Sequence, residues 1–387
     1  MVWLLPYPIC VGLYAIASAF PGMTEARYSL GVYQGIRSAL LRAVGSWPFS
    51  VAEFAVYAIA ALAFARIASG VAAAARSKGR RLRELSKAAY GLVAAAGAIS
   101  LAFVVMWGLN NCRLPISEAA GIDVRPASAG ELEEACRELL ARASALRGGG
   151  GVAEGDGGFR VGGVAEGDGV FRVGGVAEGD GGVMALDGGK ASALRRAHEG
   201  FAPVAARFPS LGQAAAQADA RVRPKPVLAS KLMSYGGITG IFFPMTGEAN
   251  VDMDILDVEA PFVMCHELAH QFGYAREDEA SFIAWLACDA SPYADFRYSG
   301  NLMAFLHLMG RLHEADPGRH GAVWGSCPPG VARDLAAVGA YWAAHEGVAS
   351  DASAQVNDAF LKINGQQEGV ASYGRMADLV IGYLRGA

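Results

Sequence analysis

The chain has 387 residues, of which 53% are hydrophobic, and its net charge is only −4. A mean hydropathy of +0.27 is high for a soluble domain, so we expect part of the chain to lie in a membrane. The small net charge, without a basic cluster among aromatic residues, gives nucleic-acid binding no support. Six cysteines are too few and too scattered for a disulfide framework or a zinc ribbon, although one or two pairs could bridge in an oxidising compartment.

Three apolar stretches within the first 110 residues predict membrane spans. Residues 2–20 carry no charge and are about as long as a bilayer crossing requires. The later stretches run from about 49 to 75 and from 88 to 109. The first stretch could also be a cleaved signal peptide, but no basic region precedes it, which favours a retained anchor. Residues 23–47 are expected to form a loop with a short amphipathic helix.

The loop between the second and third apolar stretches sets the predicted orientation. Residues 76–87 contain six basic residues and one acidic residue. The positive-inside rule places this loop in the cytoplasm, so that everything after residue 110 emerges on the outer side. Trp47 and Trp107 would then both lie at the outer interface, which aromatic residues prefer.

A tandem repeat interrupts the second part of the chain. The sequence Gly-Val-Ala-Glu-Gly-Asp-Gly begins at Gly151, Gly163 and Gly175, a period of twelve residues. Calcium binding by Gly/Asp turns is one interpretation, but the period differs from that of the nonapeptide β-helix repeat. So much glycine cannot bury enough apolar surface to offset its ordering entropy. We therefore interpret 148–189 as a flexible insertion.

The segment from Ser230 to Pro244 is apolar and punctuated by glycine, and we expect it to form one or two strands. In many metallopeptidases an edge strand beside the metal-binding helix holds the substrate backbone by strand addition. This segment is the natural candidate for that task, and a plain core hairpin is the alternative. It would be the small β element of an otherwise helical domain.

An H-E-x-x-H motif runs from His266 to His270. On a helix these two histidines lie one turn apart on the same face, so both imidazoles can bind one zinc ion. Glu267 lies beside them, where it can act as the general base for a zinc-activated water. Pro261 suits the first turn of this helix, and Gly273 suits a left-handed cap at its end.

A catalytic zinc site needs a third protein ligand. The metzincin spacing would place a histidine at position 276, where this chain has Arg276. On the next helix, Glu279 shares a face with apolar residues three, four and seven positions later. A carboxylate on an apolar face needs a buried partner, which is either the zinc ion or a salt bridge to Arg276. Glu277 and Asp278 fall on other faces and are explained as charges favourable to the helix dipole.

The stretch from His266 to Ala280 resembles the signature of an uncharacterised bacterial membrane-protein family, domain-of-unknown-function family 3810. The resemblance covers most of the chain, including the three apolar stretches, and departs from it at the glycine repeat. It is carried further by the segments 247–251, 298–300, 361–366 and 372–375. It implies a multi-pass protein of the bacterial inner membrane.

A second resemblance concerns the third ligand. The Glu-x-Glu-Ala pattern of residues 277–280 is similar to the third-ligand helix of gluzincin-like peptidases, which implies Glu279 as the zinc ligand. An oxyanion or substrate donor is still needed, and Tyr298, Tyr274 or Arg297 could serve. Polar residues near the C-terminus, among them Gln366, could line a cleft. The default interpretation of the remaining histidines is an ordinary surface or core position; they are His198, His307, His313, His320 and His345.

The sequence thus predicts a mainly α protein with two parts. Residues 1–110 would form three transmembrane helices, and residues 111–387 an α-rich (α+β), zincin-like domain outside the membrane. The predicted function is that of a membrane-anchored zinc metallopeptidase, whose partners are the lipid bilayer and a peptide or protein substrate. An intramembrane protease is excluded because the charged residues 276–279 follow the motif directly. The alternative is a non-catalytic membrane or envelope protein that keeps a structural zinc helix as an interaction module.

Overall fold

The computed structural model describes residues 5–77, 79–147, 176–179, 182–211, 221–364, 366 and 375–386. Within them the chain is mainly helical and divides into two compact units. The first unit contains Met1–Leu114 and Phe243–Glu248, and the second contains Pro115–Phe242 and Ala249–Ala387. Most of the predicted glycine-rich insertion, 148–175 with 180 and 181, lies outside the described residues.

The first unit is built from helices. They are α1 (Pro6–Ala19), α2 (Pro21–Met23), a π-helical stretch (Thr24–Val32), α3 (Tyr33–Val44), α4 (Val51–Arg76), α5 (Arg81–Met106) and a 3₁₀ turn (Gly108–Cys112). Both α4 and α5 are long and apolar enough to cross a membrane, with only 6% and 11% of their apolar windows buried inside the protein. So much exposed apolar surface indicates association with a membrane.

The first predicted span differs from what the structure contains. α1 has 14 residues and is therefore about 21 Å long, shorter than the roughly 30 Å hydrocarbon core. It is followed by Pro21–Val44 after a bend of 99°, so a third span exists only if this bent pair counts as one. Pro21 has no N–H to continue α1 but fits the first position of a new helix. Residues 23–47, predicted as a loop with a short amphipathic helix, are consequently helical as far as Val44.

The segment Phe243–Glu248 belongs to the first unit because Glu248 binds the start of α4. Its carboxylate accepts hydrogen bonds from the backbone N–H groups of Val51 (3.1 Å) and Ala52 (2.7 Å). The Ser50 hydroxyl accepts a third bond, from the N–H of Glu53. A negative charge at these N–H groups stabilises the helix N-terminus.

The second unit contains most of the helices and all or part of each strand. The helices are α6 (Ile116–Ala120), α7 (Ala129–Arg147), α8 (Gly189–Arg196), α9 (Phe201–Arg207), α10 (Ser230–Tyr235), α11 (Ala260–Gln271), α12 (Glu277–Asp289), α13 (Ala294–Ala315), α14 (Pro317–Trp324), α15 (Pro329–His345), α16 (Val348–Ile363) and α17 (Met376–Arg385), with a 3₁₀ turn at Pro209–Leu211. The strands are β1 (Ala177–Glu178), β2 (Met184–Ala185), β3 (Lys225–Pro226), β4 (Gly240–Phe243) and β5 (Glu248–Val251).

The strands form two small sheets. β1 and β2 pair antiparallel, with Ala177 opposite Ala185. The other sheet has the order β3-β5-β4, and β3 runs parallel to β5 with Lys225 opposite Asn250. β4 is therefore an edge strand. The prediction of strands for Ser230–Pro244 was wrong in the first half of the segment, where Ser230–Tyr235 forms α10. Gly237, in a left-handed conformation (φ 65°), follows that helix.

α11 lies at the centre of the second unit. Eleven of its twelve residues are buried, which agrees with a sequence that is apolar on nearly every face. α12 and α13 pack against it and contribute fully buried aromatic side chains. Just beyond the end of α11, the ring of Phe272 lies 4.9 Å from the ring of Phe201. This packing holds the motif-bearing helix rigidly inside the core.

Candidate metal centre

Three side chains converge on one point between α11 and α12. The Nε2 atoms of His266 and His270 are 3.0 Å apart. The Oε2 atom of Glu277 lies 3.1 Å from the first of these nitrogens and 3.4 Å from the second. Among the described residues, these three form the one group of three or more histidine, cysteine or acidic side chains that could hold a metal ion.

The spacing of these atoms fits a tetrahedral zinc ion. Ligand atoms about 2.0–2.1 Å from zinc are separated by about 3.3 Å along the edges of a tetrahedron. The three observed separations of 3.0, 3.1 and 3.4 Å match that edge length. Two imidazoles and one carboxylate are also a ligand set that catalytic zinc sites use, with the fourth position open to water.

Further hydrogen bonds orient both imidazoles. His270 Nδ1 lies 2.6 Å from the carbonyl oxygen of Tyr274, which can only accept, so in the neutral imidazole this nitrogen carries the proton and Nε2 has the lone pair that a metal would need. His266 Nδ1 lies 3.2 Å from the hydroxyl of Ser281 on α12. Partners on the far ring nitrogen fix the orientation of metal-binding histidines.

The structure brings Glu277, and not the predicted Glu279, to the imidazoles. Glu279 is buried as expected, but its carboxylate accepts hydrogen bonds from Arg276 (2.8 Å) and from the backbone N–H of Ile116 (2.8 Å). The alternative partner considered for it, Arg276, is thus the one observed. Glu277 is the first residue of α12, and because helical side chains tilt towards the N-terminus, its carboxylate can reach back to α11.

The electrostatics of the cluster favour a positive charge between the three groups. Burial opposes ionisation of Glu277, but attraction to His270 and hydrogen bonds to both imidazoles hold its pKa well below the usual range. Burial also opposes protonation of His270, yet attraction to Glu277 outweighs it and raises the pKa to about 9. A cation bound at this point would satisfy the same carboxylate.

Glu267 is placed beside this cluster and is nearly sealed from solvent. The residue is 4% exposed, and its Oε2 atom has no hydrogen-bond partner in the described part of the chain. Burial raises the pKa of its carboxyl group to about 8, although attraction to His270 acts in the opposite direction. A buried acceptor without a partner is costly, which is consistent with a group reserved for a ligand or water.

The family model described as "Protein of unknown function (DUF3810)" matches residues 28–381. The chain belongs to this family. Searches of curated proteins and of solved structures find no match to the chain. Membership confirms the family resemblance, and because the description of DUF3810 assigns no activity, any chemistry has to be argued from the site.

In this DUF3810 protein the C-terminal segment supports the start of α12. Gln366 accepts a hydrogen bond from the backbone N–H of Glu277 (3.3 Å) and donates one to the carbonyl of Ala275 (3.4 Å). Arg375 forms an ion pair with Asp278 at 3.3 Å. The predicted cleft residue Gln366 therefore contacts the backbone that carries Glu277.

If His266, His270 and Glu277 hold zinc, Gln366→Ala should weaken zinc binding about tenfold, because loss of a residue that orients a metal ligand typically costs about 10–100-fold in metal affinity. Competitive titration against a chromophoric chelator measures the change. Lys362→Ala is the control. Lys362 lies four residues before Gln366, is exposed and forms an ion pair with Asp358, so this variant should bind zinc like the wild type. Equal affinity in both variants would show that Gln366 does not orient Glu277.

The edge strand β4 approaches the general-base candidate closely. A Cβ atom added at Gly240 would lie 2.5 Å from Oε1 of Glu267 and 2.7 Å from its Cγ. No side chain fits there unless Glu267 moves. Gly240 thus permits the carboxyl group to occupy its position under the strand.

If Glu267 acts as a general base beside a bound zinc ion, Gly240→Ala should lower kcat about 10–100-fold while zinc stays bound, because displacing a catalytic group by about 1 Å can cost 10²-fold. Gly310→Ala is the control, since no atom lies within 4 Å of the Cβ it would add on α13. Peptide cleavage and zinc content are measured for both. Wild-type kcat in Gly240→Ala would contradict the placement of Glu267.

The three predicted donor residues are bound elsewhere. The hydroxyl of the fully buried Tyr298 donates to Asp334, and that of Tyr274 donates to Ser210 (3.0 Å). Arg297 donates to the carbonyl of Ser291 (2.8 Å). None of these hydrogen bonds places a donor at the imidazoles. Tyr274 contributes to the site through its carbonyl group instead.

Two residues near the cluster, Ser281 and His307, were not predicted from the sequence to belong to the site. Ser281 lies one turn after Glu277 on α12, and this spacing could have identified it. His307 on α13 has its ring 6.1 Å from that of Phe262, which lies 6.4 Å from the ring of His266. Burial, followed by repulsion from His266, lowers the pKa of His307 to about 4. No local pattern links a residue on α13 to a motif on α11.

Proposed function

We propose that this DUF3810 protein is a membrane-anchored, zinc-dependent peptidase. The observation that supports it best is the triangle of His266, His270 and Glu277 with tetrahedral edge lengths. Glu267 stands beside this triangle, buried and with a free acceptor atom among the described residues. Two imidazoles, a carboxylate and an adjacent glutamate form the set that metal-assisted hydrolysis of a peptide bond requires.

In this proposal His266, His270 and Glu277 hold zinc, which when bound polarises a carbonyl group and makes water more acidic. Glu267 accepts the proton that the attacking water gives up and passes it to the nitrogen of the leaving amine. The carbonyl of Tyr274 and the hydroxyl of Ser281 keep the two imidazoles in place. The edge strand β4 lies directly over Glu267 and is the candidate surface for the substrate backbone.

The proposal places the second unit on the outer side of the bacterial inner membrane. α4 ends at Arg76 and α5 begins at Arg81, so the strongly basic loop joins the two helices most able to span a bilayer. Basic loops stay in the cytoplasm. With that loop inside, α5 leads the chain outward to residue 115 and the peptidase unit.

A structural zinc site is the competing function. Structural sites usually close the coordination sphere with four protein ligands and need no general base. Here three ligand candidates converge among the described residues, and a buried glutamate without a partner adjoins them. Both features favour catalysis.

Metal removal tests the proposal directly. The full chain, purified in detergent, is assayed by mass spectrometry on a mixture of unstructured peptides, before and after treatment with 1,10-phenanthroline. We expect stoichiometric zinc and cleavage that stops with the chelator and returns when zinc is restored. Stoichiometric zinc without cleavage would favour the structural role, and absence of zinc from folded protein would overturn the proposal.

A further inference from the structure

His307 extends a row of rings that ends at the candidate metal centre. Its ring lies 6.1 Å from Phe262, and Phe262 lies 6.4 Å from His266, whose ring is 4.7 Å from that of His270. Phe262, His266 and His270 follow at intervals of four residues and so share one stripe of α11. α13 thus brings a third imidazole to the stripe that carries the candidate ligands.

The ring nitrogens of His307 form no hydrogen bond with the described part of the chain. The neighbours Phe305 and Leu308 are nevertheless fully buried and fix α13 in the core. The residue itself is half-buried rather than sealed. A histidine held rigidly beside a polar site, with its donor unpaired, can bind a ligand at little entropic cost.

Peptide hydrolysis needs such a donor. As water adds to the scissile carbonyl, negative charge develops on its oxygen, and a fixed hydrogen-bond donor stabilises that charge. Tyr298, Tyr274 and Arg297, the donors expected from the sequence, are engaged with Asp334, Ser210 and Ser291 respectively. Of the side chains considered, His307 is the one that both reaches the neighbourhood of the ligands and keeps an unpaired donor.

We propose that His307 is a catalytic residue that donates a ring N–H to the carbonyl oxygen of the scissile peptide bond. The inference rests on the proposed peptidase function. His307 forms no covalent bond and transfers no proton in this role. It stabilises charge that exists only as the reaction proceeds, and so it acts on kcat more than on KM.

The test compares His307→Phe with His313→Phe in the full, zinc-loaded chain. Phenylalanine keeps a ring against Phe262 and removes the donor. His313 lies on the same helix, with its ring against His320, and serves as the matched control. Zinc content, thermal unfolding, and kcat and KM on a peptide cleaved by the wild type are measured. For His307→Phe we expect kcat to fall about 10²–10³-fold, as for loss of an oxyanion donor, with zinc retained and KM changed less than threefold.

A second measurement does not depend on turnover. The protein is loaded with cobalt, and the visible spectrum reports the binding of acetohydroxamate, whose oxygen mimics the charged carbonyl. We expect binding at least fivefold weaker in His307→Phe and unchanged in His313→Phe. Wild-type binding and kcat in His307→Phe would overturn the proposal, as would loss of zinc. If the wild type cleaves no peptide, the peptidase function fails, and the hydroxamate comparison still decides whether His307 serves the metal centre.

Discussion

Replacing Glu277 by alanine is expected to weaken zinc binding more than about 100-fold, because a ligand is lost and outer-shell changes alone cost about 10–100-fold. The Oε2 atom of Glu277 lies 3.1 Å from Nε2 of His266 and 3.4 Å from Nε2 of His270. Its removal also takes away the charge that neutralises the cation. Dialysis against buffered zinc followed by elemental analysis gives the affinity.

Glu279→Ala is the matched control two residues away. The carboxylate of Glu279 accepts hydrogen bonds from Arg276 and from the backbone N–H of Ile116. Its removal leaves the buried N–H of Ile116 unpaired and should lower the free energy of unfolding by about 1–3 kcal/mol. It should leave zinc bound. The opposite pattern, with zinc lost in Glu279→Ala and kept in Glu277→Ala, would return the third ligand to the residue that the sequence predicted.

Glu267→Gln is expected to lower kcat by about 10²–10⁴-fold while zinc content stays at the wild-type level. The amide has the same shape as the carboxyl group but cannot accept the proton of the attacking water. Because the amide fits the pocket under Gly240 as the carboxyl does, the fold should be kept. Steady-state kinetics on one peptide, with zinc analysis of the same sample, provide the measurement. Turnover within threefold of the wild type would exclude Glu267 as the general base.

The parts of the site that depend on local pattern could be predicted from the sequence. The helix carrying His266, Glu267 and His270 is present, with Pro261 in its first turn and Gly273 in a left-handed conformation (φ 97°) after it. Helical periodicity is a short-range property, and it also led correctly to the burial of Glu279.

The identity of the candidate third ligand depends on geometry that the sequence does not encode locally. Which acid of 277–279 faces α11 is decided by how the short connection after Gly273 directs the start of α12. Apolar periodicity identifies the face towards the core, but two carboxylates can be buried there with different partners. Arg276 and the backbone of Ile116 bind one, and the two imidazoles approach the other. The position of Ile116, far away in the sequence, could not be anticipated.

The same reason explains the residues that were missed or misplaced. Tyr298 was proposed as a donor, but its hydroxyl is bound to Asp334 on α15. His307, on α13 as well, lies near the ligands because of how α13 packs against α11. In the first unit, the apolar run of residues 2–20 met the length for a span, but among the described residues its helix covers Pro6–Ala19 and is followed by a bend of 99° into the next helical segment.

The measurement that tests the central claim most directly is X-ray absorption at the zinc edge on the full chain in detergent. We predict a four-coordinate ion with two imidazole nitrogens and oxygen ligands, all at about 2.0–2.2 Å, and loss of the carboxylate contribution in Glu277→Ala. Folded protein that binds no stoichiometric zinc, or a spectrum with sulfur at about 2.3 Å, would contradict it.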